Sequence, residues 1–196
     1  MFAVLAEDQS DYQTLAALIR RATQPNMPVT GRGFSGASQL LKDGHRSLKA
    51  LAALPRNKAF IVCVDADELD SERRQKEVLE KVVVASGVGK GCTVVVPTWE
   101  IEAWILADIN AAANIFGKWK TLNEITHPEN IQHSKEYLVK LCKKGTSPPY
   151  NHAAHNQKIA SYLDLDKVYG RCKSFRPFMD AICNAAGIPV LKTPKG

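Results

Sequence analysis

The sequence lacks any apolar run long enough to cross a membrane. A transmembrane helix needs about 18 consecutive apolar residues, and runs such as residues 59–64 are far shorter. Acidic residues begin at Glu7 with no basic leader before them, so we do not expect a secretory signal. The 196 residues are 45% hydrophobic and 23% charged, a composition typical of one globular domain with a substantial core.

Cysteine pairs are also missing. The sequence contains no CxxC spacing, and its five cysteines are scattered: Cys63, Cys92, Cys142, Cys172 and Cys183. This pattern argues against a zinc knuckle and against a disulfide framework. We therefore expect reduced thiols in a cytoplasmic protein.

A GxxxxGKS/T phosphate loop is absent, so an ATPase working with this chain would be a separate polypeptide. The glycine-rich stretch at 31–36, GRGFSG, lacks that spacing. We expect a loop there, and binding of phosphate by this loop is a weaker alternative.

Positive charge is concentrated near the C-terminus. The net charge is +6, and from Ser134 onward eleven Lys or Arg face four Asp or Glu, against fifteen and sixteen before it. A mildly acidic first part joined to a basic last part suits a cation site beside a surface for polyanions. The alternative is a solvated basic face without a partner.

Short apolar segments alternate with helical patterns in the first part of the chain. The strand-like segments are residues 2–6, a weak one near 27–30, 59–64 and 93–96. Ser10 or Asp11 is expected to cap the first helix, and Thr98 a helix running to about 109–116. Helices and loops alone are expected later, with helices near 134–143, 151–163 and 174–186.

This alternation predicts an α/β fold, with a mainly parallel sheet of about four strands flanked by helices. We expect the α/β part to occupy residues 1–120. Residues 121–196 are expected to form a helical, basic C-terminal extension that packs on the same domain.

Acidic residues directly follow the three clear strands. They are Glu7 after the first, Asp65 and Asp67 after the second, and Glu100 and Glu102 after the third. In a parallel sheet these residues share the carboxyl edge, where open α/β sheets bind ligands. Carboxylate oxygens are hard ligands suited to Mg²⁺ or Mn²⁺. In extended chain Asp65 and Asp67 would point the same way. The alternative is that these acids lie in solvated loops.

Glu102 lies in the apolar stretch WEIEAWILA, with Trp99, Ile105 and Leu106 as helical neighbours. A carboxylate buried there is costly unless a cation or hydrogen-bond donors meet it. The alternative role is a structural salt bridge with an arginine. Glu68 and Asp70 fit a solvated turn, in which Asp70 caps the next helix.

His152 and His155 are spaced i, i+3 and could bind a metal ion. A surface or hydrogen-bonded role fits them better, because no third soft ligand lies nearby in the sequence.

Three segments resemble the small stand-alone TOPRIM-like proteins, which are similar to the nuclease domain of OLD-family proteins. They are VLAEDQSD at 4–11, IVCVDADELD at 61–70 and PTWEIEAWILAD at 97–108. The helical tail around 134–138, 158–160 and 174–176 is similar as well. One departure is Asp8, which stands where the family's turn usually has glycine, a position that could require positive φ. The other is Asn151-His152, near which relatives tend to carry a lysine.

The resemblance implies a TOPRIM-type sheet that binds one or two divalent ions, Mg²⁺ or Mn²⁺. It implies that Glu7 is catalytic or metal-binding, that Asp11 is a further ligand, that Asp65 and Asp67 are metal ligands, and that Glu102 completes the site. Two ions about 4 Å apart would stabilise the attacking and leaving oxygens of a phosphodiester. Glu7 or Glu102 would orient or deprotonate the water.

The leading hypothesis is therefore a metal-dependent nuclease acting on nucleic acid, on DNA in preference to RNA. Basic residues of the tail are candidates for phosphate contacts: Lys135, Lys143, Lys144, Lys158, Arg171 and Arg176. Binding through such contacts would weaken steeply with salt.

Two alternatives come from other classes. The chain could be an interaction module that is inactive alone and works with a separate ABC-type ATPase, in phage defence by resemblance. It could also bind nucleic acid without catalysis. We expect no membrane partner. The sequence does not determine whether the chain forms an oligomer.

Overall fold

The fold is built on one all-parallel sheet. The computed structural model describes residues 1–67, 70–89, 91–115, 123–143 and 149–191, with the side chains of 142 and 143 left out. Within them the strand order is β2-β1-β3-β4. The strands are β1 (Phe2–Ala6), β2 (Val29–Gly33), β3 (Ala59–Cys63) and β4 (Cys92–Val95). The predicted α/β class and parallel sheet are confirmed.

Eight α-helices surround this sheet in the described part of the chain. They are α1 (Gln9–Ala22), α2 (Ala37–Ala52), α3 (Ser71–Val78), α4 (Glu102–Ala107), α5 (Ser134–Lys143), α6 (His152–Ala160), α7 (Leu165–Arg171) and α8 (Arg176–Ala186). A π-helical segment, Leu79–Val84, continues α3. Three short 3-10 helices are Ile109–Asn114, Pro128–Asn130 and Lys173–Phe175. None of the helices in these ranges is long and apolar enough to cross a membrane.

Each face of the sheet carries its own hydrophobic core. Alternation along β1 sends Val4 to one core and Leu5 to the other, both fully buried. The first core joins α1 to the helices of the second half through Trp104, Phe175 and Phe178. The second core lies under α2 and α3. The helical second half thus shares a core with the sheet, while the division at residue 120 stays a prediction.

The segment after β1 approaches β2 so closely that only glycine fits at Gly33. A Cβ atom added there would lie 2.1 Å from the backbone carbonyl carbon of Asp8. Such an overlap cannot be relieved by a side-chain rotation, because the opposing atom belongs to the backbone. Gly33 therefore sets the position of the turn that begins at Glu7.

Several expected element boundaries were wrong. Asp8, not Ser10 or Asp11, caps α1, and its side chain accepts a hydrogen bond from the Asp11 N–H at 2.8 Å. The expected glycine-rich loop begins inside β2. Thr98 does not cap a helix, because α4 begins only at Glu102. The sequence patterns also missed α7. Asp70 caps α3, as expected.

Candidate active site

The acids predicted to share the carboxyl edge do lie near one another. Glu7 follows β1, Asp65 follows β3, Glu102 opens α4 beyond β4, and Asp11 lies in the first turn of α1. Burial raises the pKa of Asp65 well above its ordinary value, and the charges of Asp11, Glu102, Glu7 and Asp67 raise it further. Acids that are far apart in the sequence therefore lie close enough to raise the pKa of Asp65.

Glu7 is half-buried against the turn that leads into α2. The backbone amides of Ala37 and Asp65 hydrogen-bond its carboxylate and lower its pKa. Burial and the charge of Asp67 outweigh them, so the pKa of Glu7 is raised. Its second oxygen, Oε2, is buried and has no hydrogen-bond partner among the described residues.

Glu102 is 1% exposed and is held by a polar pair from the helical second half. Its Oε1 accepts a hydrogen bond from Asn156 Nδ2 at 3.0 Å and from the Tyr150 hydroxyl at 3.5 Å. Tyr150 also hydrogen-bonds Asn156 Oδ1. Oε2 of Glu102 has no partner in the described part of the chain. Burial raises the pKa of Glu102, and Lys135 opposes that rise more than Asn156 does.

Asp11 lies on α1 and is 9% exposed. Burial raises its pKa well above the ordinary value, and Asp8, Glu102 and Glu7 add to the rise. Lys135 lowers it. The cluster as a whole therefore favours retained protons or added positive charge.

Lys135 lies beside the acids rather than on an outer surface. Its Nζ is 3.9 Å from Glu100 Oε1, and its backbone N–H donates to Glu100 Oε2 at 2.9 Å. Burial lowers the pKa of Lys135, but Glu102, Glu100, Asp65 and Asp11 together raise it above the ordinary value. Lys135 thus supplies a half-buried positive charge beside the cluster. The cation facing Glu102 is this lysine and not the arginine considered from the sequence.

Asp67 lies at the rim of the cluster. Its φ is 52°, so the chain leaves the extended conformation that would aim Asp65 and Asp67 together. Its side chain is 51% exposed and lies 3.7 Å from Nη2 of Arg74. By contrast, φ of Asp8 is −136°, so the positive φ considered for this position from the sequence is not required. Asp67 contributes charge to the site from its edge.

Two of the residues predicted to contact phosphate make contacts within the protein. Arg171 donates to Ala107 O at 2.7 Å and pairs with Glu124 Oε2 at 2.6 Å. Arg176 donates to two carbonyls near the end of α7, at 3.1 and 3.3 Å. Lys158 is exposed on α6. The Lys143 side chain, Lys144 and Glu68 lie outside the described residues.

The sequence did not predict the site contacts of three residues, Arg74, Tyr150 and Asn156. Arg74 stands in the charged run SERRQKEV, where nothing separates it from its exposed neighbours. Asn156 follows Glu102 by 54 residues in the chain. The sequence pattern of α6 indicates that Asn156 is a polar residue on a buried face. That pattern does not identify Glu102 as its partner.

The donor chemistry of the cluster fits Mg²⁺ or Mn²⁺, which prefer carboxylate oxygen. The unpartnered oxygens of Glu7 and Glu102 are available as ligands. Within the described ranges, however, no three His, Cys, Asp or Glu side chains are arranged to hold an ion as they stand. The Nδ1 atom of His155 accepts the Asn151 N–H at 2.9 Å, in line with the hydrogen-bonded role.

The fold and this edge define an α/β protein whose parallel sheet carries a buried acidic cluster beyond its carboxyl ends. The chain belongs to the family described as Domain of unknown function (DUF4276), which matches residues 6–182. No curated protein and no solved structure matches the chain.

Proposed function

We propose that this chain is a TOPRIM-like nuclease related to the OLD family, which hydrolyses phosphodiester bonds of nucleic acid with Mg²⁺ or Mn²⁺. The observation that carries the proposal is the gathering of Glu7, Asp11, Asp65 and Glu102 at one sheet edge, where two carboxylate oxygens have no hydrogen-bond partner among the described residues. Buried unpaired carboxylates are costly, and such groups cluster where chemistry needs them. The sequence resemblance points to the same activity.

Glu7, Asp11, Asp65 and, at the rim, Asp67 would hold the ion or ions. A bound divalent ion would supply Lewis-acid stabilisation of charge on the phosphate oxygens. Glu102, fixed through Oε1 by Asn156 and Tyr150, would accept a proton at Oε2.

In the proposed step, a water oxygen bonds to phosphorus as the ester P–O bond breaks. The proton of the water passes to Glu102, and the leaving alkoxide is protonated from solvent. Lys135 balances the negative charge that the cluster and the phosphate bring together.

The test is a cleavage assay on labelled DNA and RNA with Mn²⁺ or Mg²⁺, using wild type, Asp65→Asn and Asp166→Asn. Asp166 is an exposed acid on α7 and serves as the matched control. We expect cleavage by wild type and by Asp166→Asn, and none by Asp65→Asn. The proposal fails if wild type leaves both nucleic acids intact while Asp65→Asn binds Mn²⁺ as wild type does.

A second candidate is a partner-dependent module that binds nucleic acid or a separate ABC-type ATPase. Lys135 favours it, because its half-buried ammonium already offsets part of the acidic charge. In that case the chain alone would leave DNA intact, chelator would not change its binding, and cleavage would appear only with a co-purifying ATPase. Lys135→Gln would then tighten Mn²⁺ binding, since removing the ammonium leaves the carboxylates short of positive charge.

A further inference from the structure

A basic groove runs between α2 and α3, away from the basic C-terminal helices. It consists of two adjoining cavities of about 440 and 360 Å³ that share Ser38, Leu41 and Glu77. Five basic side chains line the groove: Lys42, Arg73, Arg74, Lys76 and Lys81. Among the described residues two acids line it, Glu77 and Glu80, so this lining has a positive balance.

Arg74 connects this groove to the acidic cluster. It lines the groove yet is only 8% exposed. Its guanidinium lies 3.7 Å from Asp67 and 3.2 Å from Glu77, and its charge also acts on Glu7. Its Nε has no hydrogen-bond partner among the described residues. A guanidinium that lines the groove and also lies beside the cluster is placed to meet an anionic ligand that spans both.

The other lining cations are arranged differently. Lys42, Arg73 and Lys76 are exposed and have no ion pair within the described ranges, whereas Lys81 pairs with Glu77 at 2.7 Å. Unpaired exposed cations along a groove supply the sequence-independent attraction that a phosphate backbone requires. On the C-terminal helices, two of the candidate cations, Arg171 and Arg176, already bind protein groups.

We propose that the α2–α3 groove binds the phosphate backbone of the nucleic-acid strand, and that Arg74 contacts the phosphate nearest the acidic cluster. This inference rests on the proposed nuclease function and specifies its substrate surface. It replaces the C-terminal helices as the main binding surface. Lys42, Arg73 and Lys76 would contact the phosphates that lie farther from the cluster.

The test measures fluorescence anisotropy of a labelled 20-nucleotide single-stranded DNA and of its duplex, in EDTA and over a series of salt concentrations. The groove variant carries Lys42→Gln, Arg73→Gln and Lys76→Gln. The control removes the same charge from exposed positions on the C-terminal helices and the adjoining 3-10 helix, with Lys140→Gln, Lys158→Gln and Lys173→Gln. Thermal unfolding checks that both variants fold.

We expect the groove variant to bind DNA at least about tenfold more weakly at low salt. The slope of log affinity against log salt should fall by about 2, since each lost phosphate contact removes about 0.7 to 0.9. The control should stay within about twofold of wild type, as expected for charges that make no phosphate contact. The inference is overturned if the control loses as much affinity as the groove variant, or if wild type does not bind DNA.

Cleavage with Mn²⁺ separates this inference from the proposed function. If wild type binds through the groove but never cleaves, the groove assignment stands and the nuclease proposal fails. If wild type cleaves and the groove variant cleaves and binds equally well, the nuclease proposal stands and the groove assignment fails.

Discussion

The backbone N–H of Asp67 donates a hydrogen bond to the carbonyl of Trp99 at 3.1 Å, and both residues have positive φ, 52° and 67°. Non-glycine residues in this region cost about 1–3 kcal/mol each, so the surrounding structure must hold them there. The bond joins the loop after β3 to the loop after β4. Strain is thus located where the acids from these two strands meet.

A substitution at Asp67 can separate the effect of backbone strain on stability from the effect of the carboxylate charge on cleavage. Asn adopts positive φ more readily than Asp does, so Asp67→Asn should keep the fold, with a melting temperature equal to or slightly above that of wild type. The lost ion pair with Arg74 contributes about 1 kcal/mol at most, because its nitrogen and oxygen are 3.7 Å apart and the Asp67 side chain is 51% exposed. DNA cleavage should nevertheless fall, because the site loses a carboxylate. Unchanged cleavage would remove Asp67 from the site.

Gly33→Ala should disrupt the turn that carries Glu7. Its Cβ would overlap the Asp8 backbone at 2.1 Å, so we expect a loss of about 3 kcal/mol or more in the free energy of unfolding. For a chain of this size that loss lowers the melting temperature by about 6–12 °C. Gly89→Ala, where an added Cβ meets nothing within 4 Å, is the control. Equal melting temperatures for the two variants would contradict the close approach.

Asp65 should destabilise the metal-free protein at neutral and alkaline pH. Its pKa is raised in the folded state, so the folded chain holds this proton more tightly than the unfolded chain does. The contribution of the group to stability is full below about pH 4, the unfolded value, and is lost as pH rises through the folded pKa. In EDTA, Asp65→Asn should therefore melt above wild type at pH 8, and the difference should shrink toward pH 4.

Asp166→Asn is the control for this pH series and should follow wild type throughout. A pH-independent difference between wild type and Asp65→Asn would show that Asp65 does not titrate as argued. Added Mn²⁺ should stabilise wild type more at pH 8 than at pH 5, because ionised carboxylates bind the ion.

Tyr150 should act by positioning Glu102. Tyr150→Phe removes the hydroxyl that donates to Asn156 Oδ1 and lies 3.5 Å from Glu102 Oε1, so Asn156 holds Glu102 less firmly. We expect kcat for DNA cleavage to fall about tenfold or more with KM little changed. Tyr169→Phe is the matched control, since its hydroxyl donates to Asp180 at 2.9 Å away from the cluster. Equal kcat values for the two variants would make the Tyr150 contact merely structural.

The acidic edge could be predicted from the sequence, because the prediction needed only the order of strands and acids along the chain. Apolar strands followed at once by Glu7, Asp65 and Glu102 fix the edge once the sheet is parallel. The turn around Gly33 could not be predicted. A glycine in the sequence usually indicates a loop, and nothing local shows that Gly33 lies against the backbone of Asp8. The hydrophobic pattern of the sequence also did not predict α7.

The charged residues show the same limit. Charge counting assigned Lys135 to an outer basic surface, but the fold brings the start of α5 against Glu100. Arg74 and Lys76 are two residues apart on one helix, yet one is buried beside Asp67 and the other is exposed. Tertiary packing decides which cation becomes part of the site, and that information is not local.

The most direct measurement of the central claim is a crystal of the protein soaked in Mn²⁺, with anomalous difference peaks located. The account predicts a peak bounded by carboxylate oxygens of Glu7, Asp11 and Asp65, reached by rotation of their side chains, and its loss in Asp65→Asn crystals. Manganese peaks only elsewhere, with these carboxylates unchanged, would contradict it.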